Sequence, residues 1–226
     1  MKLPVASHTM LITFENCPHK GYRMYIAKDL PREPATPAME WGKDVHKAFA
    51  KRLVQGTKLP QEMQKYDHLV APLVEYKPLA EVPLAIRADG SPCGFFDDDV
   101  FCRGYGDVAI VKGPLAILFD WKTGKRREDK AELRLHALML QAQYSDLTHI
   151  TGYYVWLQDN KLGACHDLSE THFTWATLNE QMDEIKFMAE QDNFPKTPNP
   201  LCGWCPVMDC EHNKVEQRLA KEAAAQ

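Results

Sequence analysis

Apolar residues recur at helical spacing through the first third of the chain and change to strand-like spacing after Pro78. Between residues 8 and 30, Leu11, Phe14, Tyr22, Tyr25 and Ile26 supply one stripe, which Cys17-Pro18 interrupts. Proline disfavours helix at the residue before it, so two short helices meeting at that dipeptide are predicted. Pro31, Pro34 and Pro37 mark a loop. Residues 39–54 are predicted as a helix with Trp41, Val45, Phe49 and Leu53 on one face. A third helix is predicted over 61–76, with Met63, Tyr66, Leu69, Val70 and Leu73 sharing a face.

EVPLAIR (81–87) has the pattern of a strand, and the turn-rich ADGSPCGFFDDD follows it. Residues 100–112 and 115–122 form two further strands around a turn at Gly113-Pro114. LAILF carries no polar residue on either face, as expected of a central strand covered on both sides. A helix over 130–144, a strand over 150–157, another strand at 170–175 and a helix over 178–191 complete the middle of the chain. Residues 193–206 hold four prolines and are expected to be a loop. A terminal helix over 211–224 leads into AAAQ. Strands flanked by helices predict an α/β fold with a small mixed sheet. One compact domain is expected, with its core at about 39–160 and a cysteine-bearing region formed by 10–30 and 193–215.

The chain has 226 residues, 45% hydrophobic and 26% charged, ordinary for a globular protein with a sizeable core. A net charge of -4 means that any nucleic-acid contact must come from a local basic surface. No apolar run is long enough to cross a bilayer, and the N-terminus does not read as a secretory signal, so a cytoplasmic protein is expected. Seven cysteines, an odd count without a signal peptide, point to metal ligation rather than a disulfide framework.

The chemistry concentrates in GYGDVAIVKGPLAILFDWKTGK (104–125). Asp120 and Lys122 are two apart on a strand and leave the same face, while Trp121 points the other way. A hairpin brings Asp107 beside Asp120. Two carboxylates and an ammonium at one sheet edge suit a divalent cation that binds a phosphate oxygen. His46 lies one turn after Gly42 on a predicted helix, and the glycine would let that helix approach the sheet closely enough for His46 to reach the carboxylates. Cys202-x-x-Cys205 places two thiolates on one tight turn, with Cys210 as a third and Cys17 as a fourth. Four thiolates suit a [4Fe-4S] cluster or Zn²⁺, and their spacing does not separate the two. Cys93, Cys102 and Cys165 are expected to be isolated thiols. There is no GxxxxGK[ST] phosphate-binding loop, so the sequence carries no motor of that type.

GKDVH, GYGD and DWKTGK, in that order, resemble the RecB-like branch of the PD-(D/E)XK nucleases, and the resemblance spans roughly residues 10–212. ENCPHKGYRMYI and CGWCPVMDC resemble the iron-sulfur members of that branch, which include the CRISPR-adaptation nuclease and the AddB nuclease domain. The resemblance implies a restriction-endonuclease-like fold and a Mg²⁺- or Mn²⁺-dependent DNA exonuclease, acting from single-stranded ends. Its setting would be recombination, repair or CRISPR adaptation in a bacterium or a phage-infected cell, and a helicase, recombination or CRISPR-adaptation protein would be a partner. It makes His46, Asp107, Asp120 and the main-chain carbonyl of Trp121 the metal ligands, with Lys122 the catalytic lysine. It also favours the [4Fe-4S] cluster on Cys17, Cys202, Cys205 and Cys210, with Zn²⁺ the alternative. The family's Q-x-x-x-Y motif is missing from AELRLHALMLQAQY, where Arg134, His136, Gln141 or Tyr144 would take its role. Cys205 and Cys210 have four residues between them where the family more often has five. Lys125, Arg126 and Arg127, with Arg134 further on, are candidate DNA contacts, and a solvated face explains them about equally well. A DNA- or partner-binding module without catalysis is the other functional reading.

Overall fold

The computed structural model describes residues 3–31, 35–126 and 129–224. They belong to two compact units, one of residues 35–177 and one of residues 1–34 with 178–226. The chain opens with helix α1, His8–Asn16, capped by the Ser7 hydroxyl accepting from Met10 N–H at 3.3 Å. Cys17 then turns extended, and a short helix α2, Pro18–Gly21, runs into a π-helical turn, Tyr22–Ala27. The break thus falls at Cys17-Pro18. Leu11 and Phe14 are buried, while Tyr22, Tyr25 and Ile26 are half-buried.

In the unit of residues 35–177, α3 spans Pro37–Gln55, with Thr36 as its cap and Pro37 in its first turn. The single helix expected at 61–76 is broken. Gln61–Tyr66 is a 3-10 turn, Asp67–Val70 is a short α-helix (α4), and Ala71–Tyr76 is 3-10 again. Pro72 lies at the second break, where it has no N–H to donate to the preceding turn. The apolar spacing survives, because Met63, Tyr66 and Val70 remain buried.

Five strands follow: β1 Leu79–Ile86, β2 Cys102–Lys112, β3 Leu115–Lys122, β4 His149–Trp156 and β5 Lys161–Asp167. They form one mixed sheet in the order β1-β2-β3-β4-β5. β2 and β3 are joined by the two-residue turn Gly113-Pro114, where Gly113 takes φ 55, the left-handed first position of a hairpin turn. β3 and β4 are parallel, and helix α5, Ala131–Gln143, provides the crossover that such a pair needs. β3 is central, as its apolar run predicts.

The strand expected at 170–175 does not exist. Those residues open α6, Thr171–Glu190, and the outer strand is instead β5. The alternation in THFTW misleads because Trp175 packs edge-on against Phe101 at 5.9 Å from a helix. β5 escapes notice because it pairs only with β4 and is mostly exposed, so no buried alternation is written into KLGACHD. One sheet face packs on α3: Val45, Phe49 and Leu53 join Val108, Ile110, Phe119, Trp121 and Val155 in one cluster. Phe49 meets the Trp121 ring edge-on at 5.0 Å.

In the other unit, the segment after α6 and the final helix α7, Val215–Ala224, accompany α1 and α2. Residues 193–206 are not loop throughout, since Pro200–Trp204 forms a 3-10 turn capped by Asn199. The two ends of the chain are tied together. Asn199 Nδ2 donates to Asn16 O at 2.9 Å, and Arg23 bridges Asp29 at 2.7 Å and Asp209 at 2.9 Å. Tyr22 stacks on Phe194 at 4.6 Å. Among the described residues, no helix is long and apolar enough to cross a membrane.

Candidate functional site

The β2–β3 ladder stops at Val108–Phe119, one pair short of Asp107 and Asp120. Beyond that pair the backbone groups of β3 turn to side chains: Trp121 N–H donates to Asp107 Oδ2 at 2.7 Å. On its other edge β3 stays paired to β4 as far as Lys122–Trp156. The site is this opening, rigid on the β4 side and free on the β2 side. Trp121 drives its ring into the α3 core, as strand alternation requires, and so fixes its own main chain at the opening.

Helix α3 brings His46 to the opening. Val45 and Phe49 on the same helix are fully buried and fix its rotation. A β-carbon on Gly42 would lie 3.4 Å from Thr123 Oγ1, so a larger residue there would press on the chain just past Lys122. His46 Nδ1 lies 3.1 Å from Asp107 Oδ1, and Nε2 lies 3.1 Å from Trp121 O. Both neighbours are acceptors, so both ring nitrogens act as donors and the ring is an imidazolium. Burial alone would lower its pKa; Asp107 and then Glu81 outweigh that and carry it up to about 10.

Glu81 is the residue that the sequence reading missed. Its carboxylate lies 3.7 Å from His46 Nδ1. It stands opposite Asp107, where the β1–β2 ladder skips one pair between Ala80–Val108 and Val82–Gly106. There it adopts φ 50, the left-handed region, which a residue with a β-carbon takes infrequently. Among the described residues, His46, Glu81 and Asp107 form the one group of three potential metal ligands with atoms within 4.8 Å of one another. An acid early in a strand that is otherwise apolar was the available signal.

Asp120 and Lys122 form the adjoining half of the site. Lys122 Nζ lies 2.7 Å from Asp120 Oδ2 and 2.5 Å from Glu132 Oε2, in the first turn of α5. Asp120 is only 2% exposed. Its Oδ2 is sealed from solvent, and its partner there is the Lys122 ammonium. Burial and the neighbouring Asp107 push the Asp120 carboxyl well above its usual value, with Lys122 opposing. Burial works against the Lys122 charge, but Asp120 and Glu132 hold its pKa above the ordinary value. Glu132 also escaped the sequence reading, since a Glu in a first helical turn is commonplace.

A divalent cation fits these residues. Asp120 is sealed from water beside a second carboxylate, Asp107, and a cation between them would offset both the burial and the like-charge repulsion. The His46 imidazolium already bridges Asp107 and the Trp121 carbonyl with positive charge, and a metal would take over that role as the ring loses a proton.

The other predicted contacts are dispersed. Lys125 and Arg126 are exposed in the segment after β3, and Arg134 is exposed on α5. Arg127 lies outside the described residues. Tyr144 is exposed at the end of α5. Gln141 is engaged within the fold: its amide donates to Leu147 O at 2.9 Å, and its oxygen accepts from the Thr171 hydroxyl. His136 is buried beside Gly104.

In the unit that holds both chain ends, Cys17, Cys202, Cys205 and Cys210 line one cavity of about 250 Å³. Cys202 sits in the 3-10 turn, its sulfur accepting from Asn199 N–H at 3.4 Å, and Cys205 ends that turn. Burial raises the Cys205 pKa, and Cys17 and Cys202 add to the rise. No three of the sulfurs lie within 4.8 Å of one another. Cys102, by contrast, is sealed in the sheet, where burial pushes its thiol up to about 12.

No protein-family model matches the chain. Among curated proteins, the chain is similar to the Gene 69 protein of Mycobacterium phage L5, with 30% identity over 137 residues. That match covers 58% of this chain and 43% of the phage protein, so the chain spans less than half the length of that relative. Among solved structures, it is similar to that of SSO0001, with a TM-score of 0.46 and 13% identity over 90% of this chain and 85% of that one.

Proposed function

We propose that the chain is a divalent-metal-dependent deoxyribonuclease of the RecB-like, iron-sulfur type, an exonuclease acting from single-stranded DNA ends. One observation carries the reading: His46, Asp107 and the Trp121 carbonyl converge where the β2–β3 ladder opens, beside Asp120 and Lys122. His46, Asp107, Asp120 and the Trp121 carbonyl would hold Mg²⁺ or Mn²⁺, and Glu81 is close enough to join them. The cation, when bound, supplies a water of lowered pKa and neutralises phosphate charge. The protein's own part is electrostatic and positional. Lys122 keeps its proton and presents it to a phosphate oxygen as negative charge builds there. Asp120 and Glu132 hold that ammonium from two sides, and Tyr154 backs it at 5.3 Å.

The four-cysteine cavity suits a [4Fe-4S] cluster better than Zn²⁺. Four thiolates about 2.3 Å from one tetrahedral zinc would all lie about 3.8 Å apart, whereas no three of these sulfurs lie within 4.8 Å of one another. Such a centre would staple the chain ends rather than take part in chemistry. Under this reading the protein works in the cytoplasm of a bacterium or a phage-infected cell, in recombination, repair or CRISPR adaptation, beside a helicase, recombination or CRISPR-adaptation protein.

The deciding experiment is digestion of end-labelled single-stranded and duplex DNA with Mg²⁺, Mn²⁺ or EDTA. Metal-dependent loss from ends is expected, and Asp120→Ala or Lys122→Ala should abolish it while the far-UV spectrum stays native. Full cleavage by either variant would sink the assignment. DNA bound but left uncut under every metal condition would instead identify a binding module.

A further inference from the structure

We propose that Lys43, Lys47 and Lys51 on α3 form the track for the phosphate backbone of a single nucleic-acid strand passing His46. The inference rests on the nuclease reading and deepens it, because it names the surface that holds the substrate. The three lysines are exposed and four residues apart, so they stand on one helix face with a step of about 6 Å. That step matches the distance between successive phosphates of an extended strand.

The row lies at the proposed cutting centre. Gly42, Lys43, His46, Lys47, Lys51 and Glu81 line one open groove of about 700 Å³. His46 falls between Lys43 and Lys47 in sequence, so a strand lying along the row passes the opening in the sheet. Exposed lysines on a helix are ordinarily just solvated. These share a groove with the metal-site histidine, and a chain of net charge -4 has need of such a local basic surface.

The charges facing the row are few. Glu40 pairs with Lys43 at 2.9 Å and offsets part of it. Asp44 is exposed on the same helix, and Glu81 faces the groove at the metal-site end. Among the described residues, neither Lys47 nor Lys51 takes part in an ion pair, so these two carry most of the attraction.

The test measures binding of a 5′-labelled single-stranded oligonucleotide to the full chain carrying Asp120→Ala, in Mg²⁺, across a salt series. Adding Lys47→Glu and Lys51→Glu should weaken binding about tenfold or more near physiological salt. Adding Lys47→Ala and Lys51→Ala should flatten the log–log salt slope by roughly 1.4, at about 0.7 per phosphate lost. Lys58→Glu with Lys112→Glu makes the same charge change at exposed positions, Lys112 at the hairpin end of β2 away from the opening, and should leave affinity within about twofold. Melting temperatures serve as the folding control. If wild type cuts DNA and the Lys47 and Lys51 variants bind and cut as it does, the track is wrong while the nuclease reading survives. If wild type neither binds nor cuts any DNA, the nuclease reading is lost and the track falls with it.

Discussion

Asp120, Lys122 and His46 place a buried charge problem at the mouth of the sheet, and its sign sets how the metal-free protein responds to pH. His46 titrates near 6.5 in the unfolded chain and at about 10 when folded. A raised folded pKa contributes stability that is complete below 6.5 and lost as pH climbs towards 10. Asp120 is also raised, from 3.8 upward, so its contribution too shrinks as pH rises. Urea unfolding in EDTA should therefore give a stability that falls steadily from pH 6.5 to 10, and His46→Gln should flatten the curve. A metal-free protein equally stable at both ends of that range would contradict the charge assignment. Glu81 permits a second residue-level test. Glycine accepts φ 50 at no steric cost, so Glu81→Gly should leave folding unchanged or raise stability by up to about 1 kcal/mol. The same change should weaken Mn²⁺ binding, read by calorimetry. Unaltered Mn²⁺ affinity would remove Glu81 from the ligand set.

At the scale of elements, the site depends on α3 being pressed onto the sheet. Phe49 is fully buried and packs edge-on to Trp121, whose carbonyl meets His46. Phe49→Ala should cost about 3–5 kcal/mol in denaturant unfolding and lower metal affinity with it. Phe49→Leu should recover most of the stability. Stability lost without any change in metal binding would show that the helix does not set the site's geometry. Elements were legible where burial wrote a period into the sequence, as in α3, β3, β4 and α5. They were not legible where it did not. β5 is an exposed outer strand with no apolar alternation, and THFTW alternates although it belongs to a helix. Met63, Tyr66 and Val70 kept a helical period while the backbone changed to 3-10 geometry, because spacing reports which face is buried and not the hydrogen-bond pattern.

At the scale of the whole molecule, the carboxylate site lies within residues 35–177, and the cysteine-lined cavity lies among the chain ends. Anaerobically purified protein should contain about four iron and four sulfide per chain, the stoichiometry of a [4Fe-4S] cluster. Cys17→Ser and Cys205→Ser should each lose the iron and lower the thermal midpoint. Stoichiometric zinc in place of iron would overturn the cluster. A cysteine variant as stable as wild type would overturn the staple.

By itself the sequence determined the α/β class, the hairpin that carries Asp107 and Asp120, the shared face of Asp120 and Lys122, and the Cys17-Pro18 break. Each is a local consequence of strand alternation, turn residues or proline geometry. The tertiary structure decided the rest. Glu81 enters the site because β1 loses one ladder pair opposite Asp107, and Glu132 because the crossover helix returns over Lys122. The three lysines border the site because the buried face of α3 fixes which of its other faces meets the groove. Those relations join residues of different elements, and only packing brings them together.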